Sequence, residues 1–314
     1  MGLLVEGVWT EAKAPGDPED TPLQNWITPD GAPGPTGHGG YRAEPGRYRL
    51  YVSYGCPFSH RVLMARALLG LEDVIATTDV IEVKRDNGWE IAAGADPVFG
   101  ATRLHEVIAA AEPGVTGRAA VPILVDEKTR SMVSVSSQDI VAMLSAAFAG
   151  ANTPDLMPGA LESEIKDLNQ WITDHINIAV YKTGLAPNQT VYEQQAHALF
   201  DSLDRMEARL SGQPYLHGEH LTASDLWLFA TLIRLDTVYG PLFKCTMRRG
   251  PEFPHLWGFV RRMWARPAIV RTVDFERMKQ HYFLSLIHTP MGVFELNPSG
   301  LVPLGPDLGL DRTS

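Results

Sequence analysis

A chain of 314 residues exceeds the roughly 100 to 200 residues of one compact domain, so two domains are expected. With 45% hydrophobic and 20% charged residues, its composition is globular and excludes a disordered, collagenous or low-complexity chain. Asp plus Glu number 37 against 27 for Lys plus Arg, and a formal net charge of -10 argues against a phosphate-neutralising surface and a nucleic-acid partner.

No stretch approaches the roughly 18 uninterrupted apolar residues of a membrane span. Glu6 also falls where a signal peptide carries an apolar run. A cytoplasmic protein with no membrane association is the expectation. The two cysteines, Cys56 and Cys245, cannot build a disulfide framework or a four-thiolate zinc site, so no metal is expected and cysteine chemistry would be local. A single Cys56-Cys245 bridge is formally allowed.

Residues 1–46 hold Pro15, Pro18, Pro22, Pro29, Pro33 and Pro35 and a glycine run at Gly37, Gly39 and Gly40, a punctuated composition that reads as an extended arm. Trp9 and Trp26 lie within it, and side chains of that size seek burial, so the arm is expected to pack on the body. Residues 47–150 then alternate strands and helices. Tyr48, Leu50, Val52 and Tyr54 recur at period two, and a helix follows with Pro57 at its first position and Gly70 as its stop. Phe58, Val62, Ala65 and Leu69 share one face of that helix. Further strands are expected over Val74–Val83, Val121–Val125 and Met132–Val135, and a helix over Gln138–Phe148.

Gly150, Pro154, Pro158 and Gly159 mark a linker, and residues 155–285 read as helical. Leu161, Ile165, Leu168, Ile172 and Ile176 share one helical face, and Ala196, Leu199, Phe200, Leu203, Met206 and Leu210 share another. Thr222 and Asp225 have the spacing of a capping box opening an apolar helix from Leu226 to Leu235. Residues 286–314 regain Pro and Gly and read as a tail.

Chemistry enters at Cys56-Pro57-Phe58-Ser59-His60-Arg61, a thiol at a strand-to-helix junction. Unpaired N–H groups and the helix dipole stabilise a thiolate there. Ser59 stands where a two-thiol redox motif has its second cysteine, so a mixed disulfide at Cys56 must be resolved by an external thiol such as glutathione. His60 and Arg61 are expected as surface or salt-bridged side chains. A cis Val121-Pro122 bond would offer the Val121 backbone to an extended peptide, although base rates favour trans. Ser136 and Ser137 precede a helix, where a hydroxyl serves as an N-cap or meets a carboxylate ligand.

Together these residues resemble the glutathione transferase fold, a thioredoxin-like domain followed by a helical bundle, and more closely its Xi class, the glutathionyl-hydroquinone reductases. The resemblance runs through Gly7-Val8-Trp9, Asn25-Trp26, the run from Asp30 to Gly37, Cys56-Pro57, Asn87-Gly88-Trp89, Gly117-Arg118, Val121-Pro122, Val180-Tyr181-Lys182, Phe243-Lys244-Cys245 and His281-Tyr282-Phe283. It implies a homodimer in which glutathione reduces glutathionyl-hydroquinones, Cys56 is the nucleophile, and no metal takes part. It also implies that Trp89 and Arg118 hold the glycyl end of glutathione, Val121 its cysteinyl backbone and Ser137 its γ-glutamyl carboxylate, while Tyr181 and Tyr282 line the quinol site. Ser136 stands where the class carries a glutamate for the glutathione amino group, and Phe58-Ser59 stands where it carries Trp-Ala. Two other readings share these residues: glutathione-dependent thiol transfer on mixed disulfides, and a non-catalytic binding protein. Cys245 is expected as a buried structural thiol.

Overall fold

The computed structural model describes residues 2–11, 23, 25–148, 150, 153–289 and 292–311. Pro15, Pro18 and Pro22 of the expected arm lie outside the described residues. The chain divides into two compact units, Met1–Gly150 with Glu276–Val302, and Ala151–Phe275 with Pro303–Ser314.

In the first unit, β1 (Gly2–Val5) and β2 (Val8–Glu11) form an antiparallel hairpin, and β3 (Ile27–Thr28) pairs in parallel with β4 (Tyr41–Arg42). The described residues of the arm therefore contribute strands of their own. Leu3 and Leu4 are buried, and the Trp9 ring stacks on His105 at 4.2 Å.

Next come β5 (Tyr48–Val52), α1 (Pro57–Leu68), β6 (Ile75–Asp79), α2 (Leu104–Ala111), β7 (Gly117–Arg118), β8 (Ile123–Asp126), β9 (Ser131–Ser134) and α3 (Ser137–Ala147). The strands β6-β5-β8-β9 form one sheet, with β5 parallel to β6 and antiparallel to β8, the mixed arrangement expected of a thioredoxin-like domain. The hairpin gains a third strand through β1 and β7.

The period-two pattern in β5 does not become one wet face and one dry face. Tyr48, Leu50, Tyr51 and Val52 are all fully buried, as befits a central strand covered on both sides. Helix α1 differs in the same way. Val62 and Ala65 are buried as expected, but so are Leu63, Met64, His60 and Arg61, so the helix is enclosed nearly all round. It ends at Gly70, whose φ of +65° lies in the left-handed region that glycine enters without a Cβ clash. At one end of the sheet Arg47 pairs with the buried Asp126 at 2.6 Å.

The second unit is helical: α4 (Glu162–Ile172), a π-helical turn Thr173–Asn177, α5 (Ala179–Gly184), α6 (Gln189–Leu210), α7 (Ala223–Arg234), a second π-helical turn Leu235–Tyr239, α8 (Gly240–Phe243), α9 (Pro254–Trp264) and α10 (Pro267–Val270). All six apolar residues named on α6 are buried. On α4, Ile165 and Ile172 are buried, whereas Leu168, and Leu161 just before the helix, are only half-buried. The capping box at α7 is formed, with the Thr222 N–H donating to Asp225 Oδ2 at 2.8 Å. Asp225 also accepts the Leu216 N–H at 2.9 Å, and its complete burial pushes the carboxyl up to about 6.

The chain then returns to the first unit through α11 (Phe275–Leu284), followed by the hairpin β10 (Ile287–Thr289) and β11 (Gly292–Phe294). This differs from the expected division, which assigned everything to 285 to the helical region. The reason is specific: Arg277, His281 and Ser285 bond to the segment after β6, and that ties the helix to the sheet domain. Among the described residues, no helix is long and apolar enough to cross a membrane.

Candidate active site

The junction between β5 and α1 is held by a buried carboxylate. Glu82, just beyond β6, accepts the Tyr54 N–H at 2.8 Å, the Gly55 N–H at 3.1 Å and the Ser53 hydroxyl at 2.5 Å. Ser53 Oγ in turn accepts the Cys56 N–H at 3.1 Å. Arg277 donates to the same carboxylate at 2.9 Å and to Asp79 at 2.8 Å, closing the network from α11. Burial pushes the Glu82 carboxyl up, and Ser53, Arg277 and the two backbone donors oppose that shift.

Cys56 sits at the N-cap of α1, with Pro57 at the first helical position. The residue is 8% exposed, and its thiol lies 3.7 Å from the Val121 carbonyl oxygen. The Val121-Pro122 bond is cis, against its base rate. Cys56, Trp89 and Val121 belong to one apolar cluster, so the sheet domain brings three of the expected site residues together. The Cys56 N–H itself is spent on Ser53, which ties the N-cap residue to the end of β5.

His281 and Trp89 form the next layer, their rings stacked at 5.1 Å. His281 also packs on Gly55. A Cβ at that glycine would come within 2.2 Å of His281 Cβ, so only glycine fits directly before Cys56. Tyr282 is 1% exposed, with its ring edge-on to His281 at 4.8 Å. The Lys84 ammonium lies 5.3 Å from the centre of the Trp89 ring.

At the start of α3, Ser136 acts as N-cap, its hydroxyl accepting the Asp139 N–H at 3.2 Å. Ser137 is buried, and its hydroxyl accepts from Arg61 at 3.4 Å. Arg61 and His60, expected as surface or salt-bridged side chains, are not at the surface: they are 2% and 0% exposed, and the Arg61 guanidinium covers the Phe58 ring at 4.6 Å. Arg118 lies on β7, opposite Leu3 of β1.

Tyr181 belongs to the second unit. There it is half-buried against Phe243 at 5.2 Å and Tyr239 at 6.2 Å between ring centres. Cys245 is buried with no disulfide partner, and burial pushes its thiol up to about 12, consistent with an inert structural thiol. Among the described residues, no group of three or more His, Cys, Asp or Glu side chains is arranged to hold a metal ion.

Sequence reasoning missed Glu82, Lys84 and Arg277. Two carboxylates in the expected strand Val74–Val83, Asp79 and Glu82, were the visible signal, since an acid in a buried strand needs a partner. Nothing in the sequence ties Arg277 to them across nearly two hundred residues.

Residues 55–147 match the family described as glutathione S-transferase, N-terminal domain, and residues 189–262 match glutathione S-transferase, C-terminal domain. The chain is 39% identical to the glutathionyl-hydroquinone reductase YqjG of Escherichia coli, over 99% of this chain and 97% of that protein. It is 36% identical to the glutathionyl-hydroquinone reductase PcpF of Sphingobium chlorophenolicum, over 98% and 96%. Its structure resembles that of glutathione-bound YqjG with a TM-score of 0.87, covering 99% of this chain and 97% of the other. It also resembles the Xi class transferase of Natrialba magadii with a TM-score of 0.88 at 32% identity, covering 100% and 96%.

Proposed function

Because this chain belongs to the glutathione transferase family and to its Xi class, the family of the glutathionyl-hydroquinone reductases, we propose that it uses glutathione to reduce glutathionyl-hydroquinones through Cys56. The observation that carries the reading is the Cys56 thiol at the start of α1, beside the Val121 carbonyl and in one cluster with Trp89.

An aryl thioether resists attack until the ring adopts its keto tautomer, which sets the sulfur on a tetrahedral carbon. The Cys56 thiolate then attacks that sulfur, an S–S bond forms, and the C–S electron pair passes into the ring as an enolate, which is protonated to the free hydroquinone. A glutathione thiolate attacks the mixed disulfide, releases oxidised glutathione and returns Cys56 as a thiolate. Over the cycle one glutathione thiol and the thioether sulfur lose two electrons as they join in oxidised glutathione, and the ring carbon gains them with a proton, so the cycle balances without a metal.

Tyr181 and Tyr282 are assigned as hydroxyl donors to the developing enolate oxygen. Trp89 and Arg118 are assigned to the glycyl end of glutathione, Val121 to its cysteinyl backbone, and Ser137, with Ser136 beside it, to its γ-glutamyl end. The fit is weakest at the glutathione amino group, because Ser136 spends its hydroxyl on Asp139 and brings no charge. Neither Cys56 nor Cys245 is in a disulfide, which suits a reducing cytoplasm, and a homodimer is part of the proposal. Purified protein incubated with glutathione and a glutathionyl-hydroquinone should release hydroquinone and oxidised glutathione in equal amounts. Transfer confined to small mixed disulfides would replace this reading with thiol transfer, and binding without turnover would make the protein a non-catalytic binder.

A further inference from the structure

The segment Glu82–Lys84 is strapped to the end of α11. Ser285 accepts the Lys84 N–H at 2.8 Å and donates to the Glu82 carbonyl at 3.1 Å, and the Leu286 N–H donates to the Lys84 carbonyl at 3.0 Å. The Lys84 side chain is half-buried, and its ammonium stands 5.3 Å from the centre of the Trp89 ring. Trp89 stacks on His281, and His281 packs on Gly55, the residue before Cys56. Trp89 and Cys56 share one apolar cluster, so the ring that Lys84 faces is packed in the same cluster as the thiol.

The other charged and titratable groups near the turn are engaged elsewhere. Arg277 pairs with Glu82 and Asp79, and this pairing offsets the charge of the carboxylate that holds the Gly55 N–H. Arg61 covers Phe58 and reaches Ser137. His281 directs Nδ1 to the Glu82 carbonyl, and His60 is fully enclosed in α1.

We propose that Lys84 is the charge partner of Cys56, its ammonium favouring the thiolate and setting the pH range over which the nucleophile is active. Lys84 in this role presupposes Cys56 as the nucleophile proposed above. Burial pushes the Lys84 amine down to about 8, and the Cys56 thiolate opposes that shift. Such coupling is reciprocal: a thiolate that holds a proton on the amine is itself favoured by the ammonium. The positive charge is present below about pH 8 and fades above it, so the assistance is greatest where an ordinary thiol would be largely protonated.

The test is the pH profile of Cys56 alkylation by iodoacetamide, followed on the Cys56 peptide by mass spectrometry, in the wild type, Lys84→Met and Lys84→Arg. Lys84→Met should raise the apparent thiol pKa by about one unit and slow alkylation below neutrality about five- to tenfold. Lys84→Arg keeps the charge and should stay within about twofold of the wild type. Superimposable profiles for wild type and Lys84→Met, or an equal shift in Lys84→Arg, would overturn the proposal. If Lys84→Met does not fold, Lys84→Gln takes its place under the same criteria. Hydroquinone release measured on the same samples separates the two readings: a charge-dependent profile without hydroquinone release upholds the pairing and rejects the proposed reaction.

Discussion

The Glu82 carboxylate accepts the Gly55 N–H at 3.1 Å, which fixes the last backbone unit before Cys56 from a residue on another strand connection. With Ser53, Tyr54 and Arg277 on the same carboxylate, the turn that presents the thiol is held from β5, from the segment after β6 and from α11 at once.

Glu82→Gln should therefore cost more than an ordinary surface change. The amide places an N–H₂ against donors and leaves Arg277 half-compensated, so a loss of about 2 to 4 kcal/mol in unfolding free energy is expected. Urea denaturation measures it. A loss below about 0.5 kcal/mol, the scale of surface substitutions, would show that the network does not hold the turn.

Ser53→Ala removes a smaller piece. The Cys56 N–H loses its acceptor and Glu82 loses one donor, and the expected cost is about 1 kcal/mol. Slower Cys56 alkylation should accompany it, because the thiol is then less well fixed. An unchanged alkylation rate would confine Ser53 to a folding role.

The two thiols should behave very differently. Burial pushes Cys245 up to about 12, so it stays protonated near neutral pH and should resist alkylation in the native protein. Thiol titration should give one reactive group natively and two in denaturant. Native labelling of Cys245 ahead of Cys56 would reverse the assignment of the nucleophile.

Much of this site was legible in the sequence, and the illegible parts share a cause. The junction at Cys56-Pro57 is local: a strand period breaks, proline opens a helix, and the spacing declares both. The capping box at Thr222 and Asp225 is local in the same sense. Glu82 and Arg277 meet only through tertiary packing, as do Trp89 and His281, and spacing carries no record of such pairs. The burial of His60 and Arg61 was missed because charge suggests a surface, whereas enclosure of α1 on all sides decided the outcome.

The proposed glutathione site offers a test of its departure from the class. Ser136→Glu should tighten glutathione about tenfold, equivalent to roughly 1.4 kcal/mol, by supplying a carboxylate to the amino group. The same change removes an N-cap and should lower stability by about 1 kcal/mol. Isothermal titration and thermal unfolding separate the two effects. Unchanged or weaker glutathione binding would mean that another group already takes the ammonium.

For the tyrosines, selectivity is the criterion. Tyr181→Phe and Tyr282→Phe should each lower turnover of glutathionyl-hydroquinones by about tenfold or more, with a smaller effect on glutathione binding, if their hydroxyls meet the enolate. Full turnover in both variants would make them packing residues, a role that the close burial of Tyr282 would also suit.

The most direct measurement is a single turnover without free glutathione, comparing wild type with Cys56→Ser. Wild-type protein mixed with a glutathionyl-hydroquinone should release one equivalent of hydroquinone and gain the mass of one glutathionyl group at Cys56, while Cys56→Ser should do neither. Hydroquinone release by Cys56→Ser, or release by the wild type with the glutathionyl group anywhere but Cys56, would contradict the account.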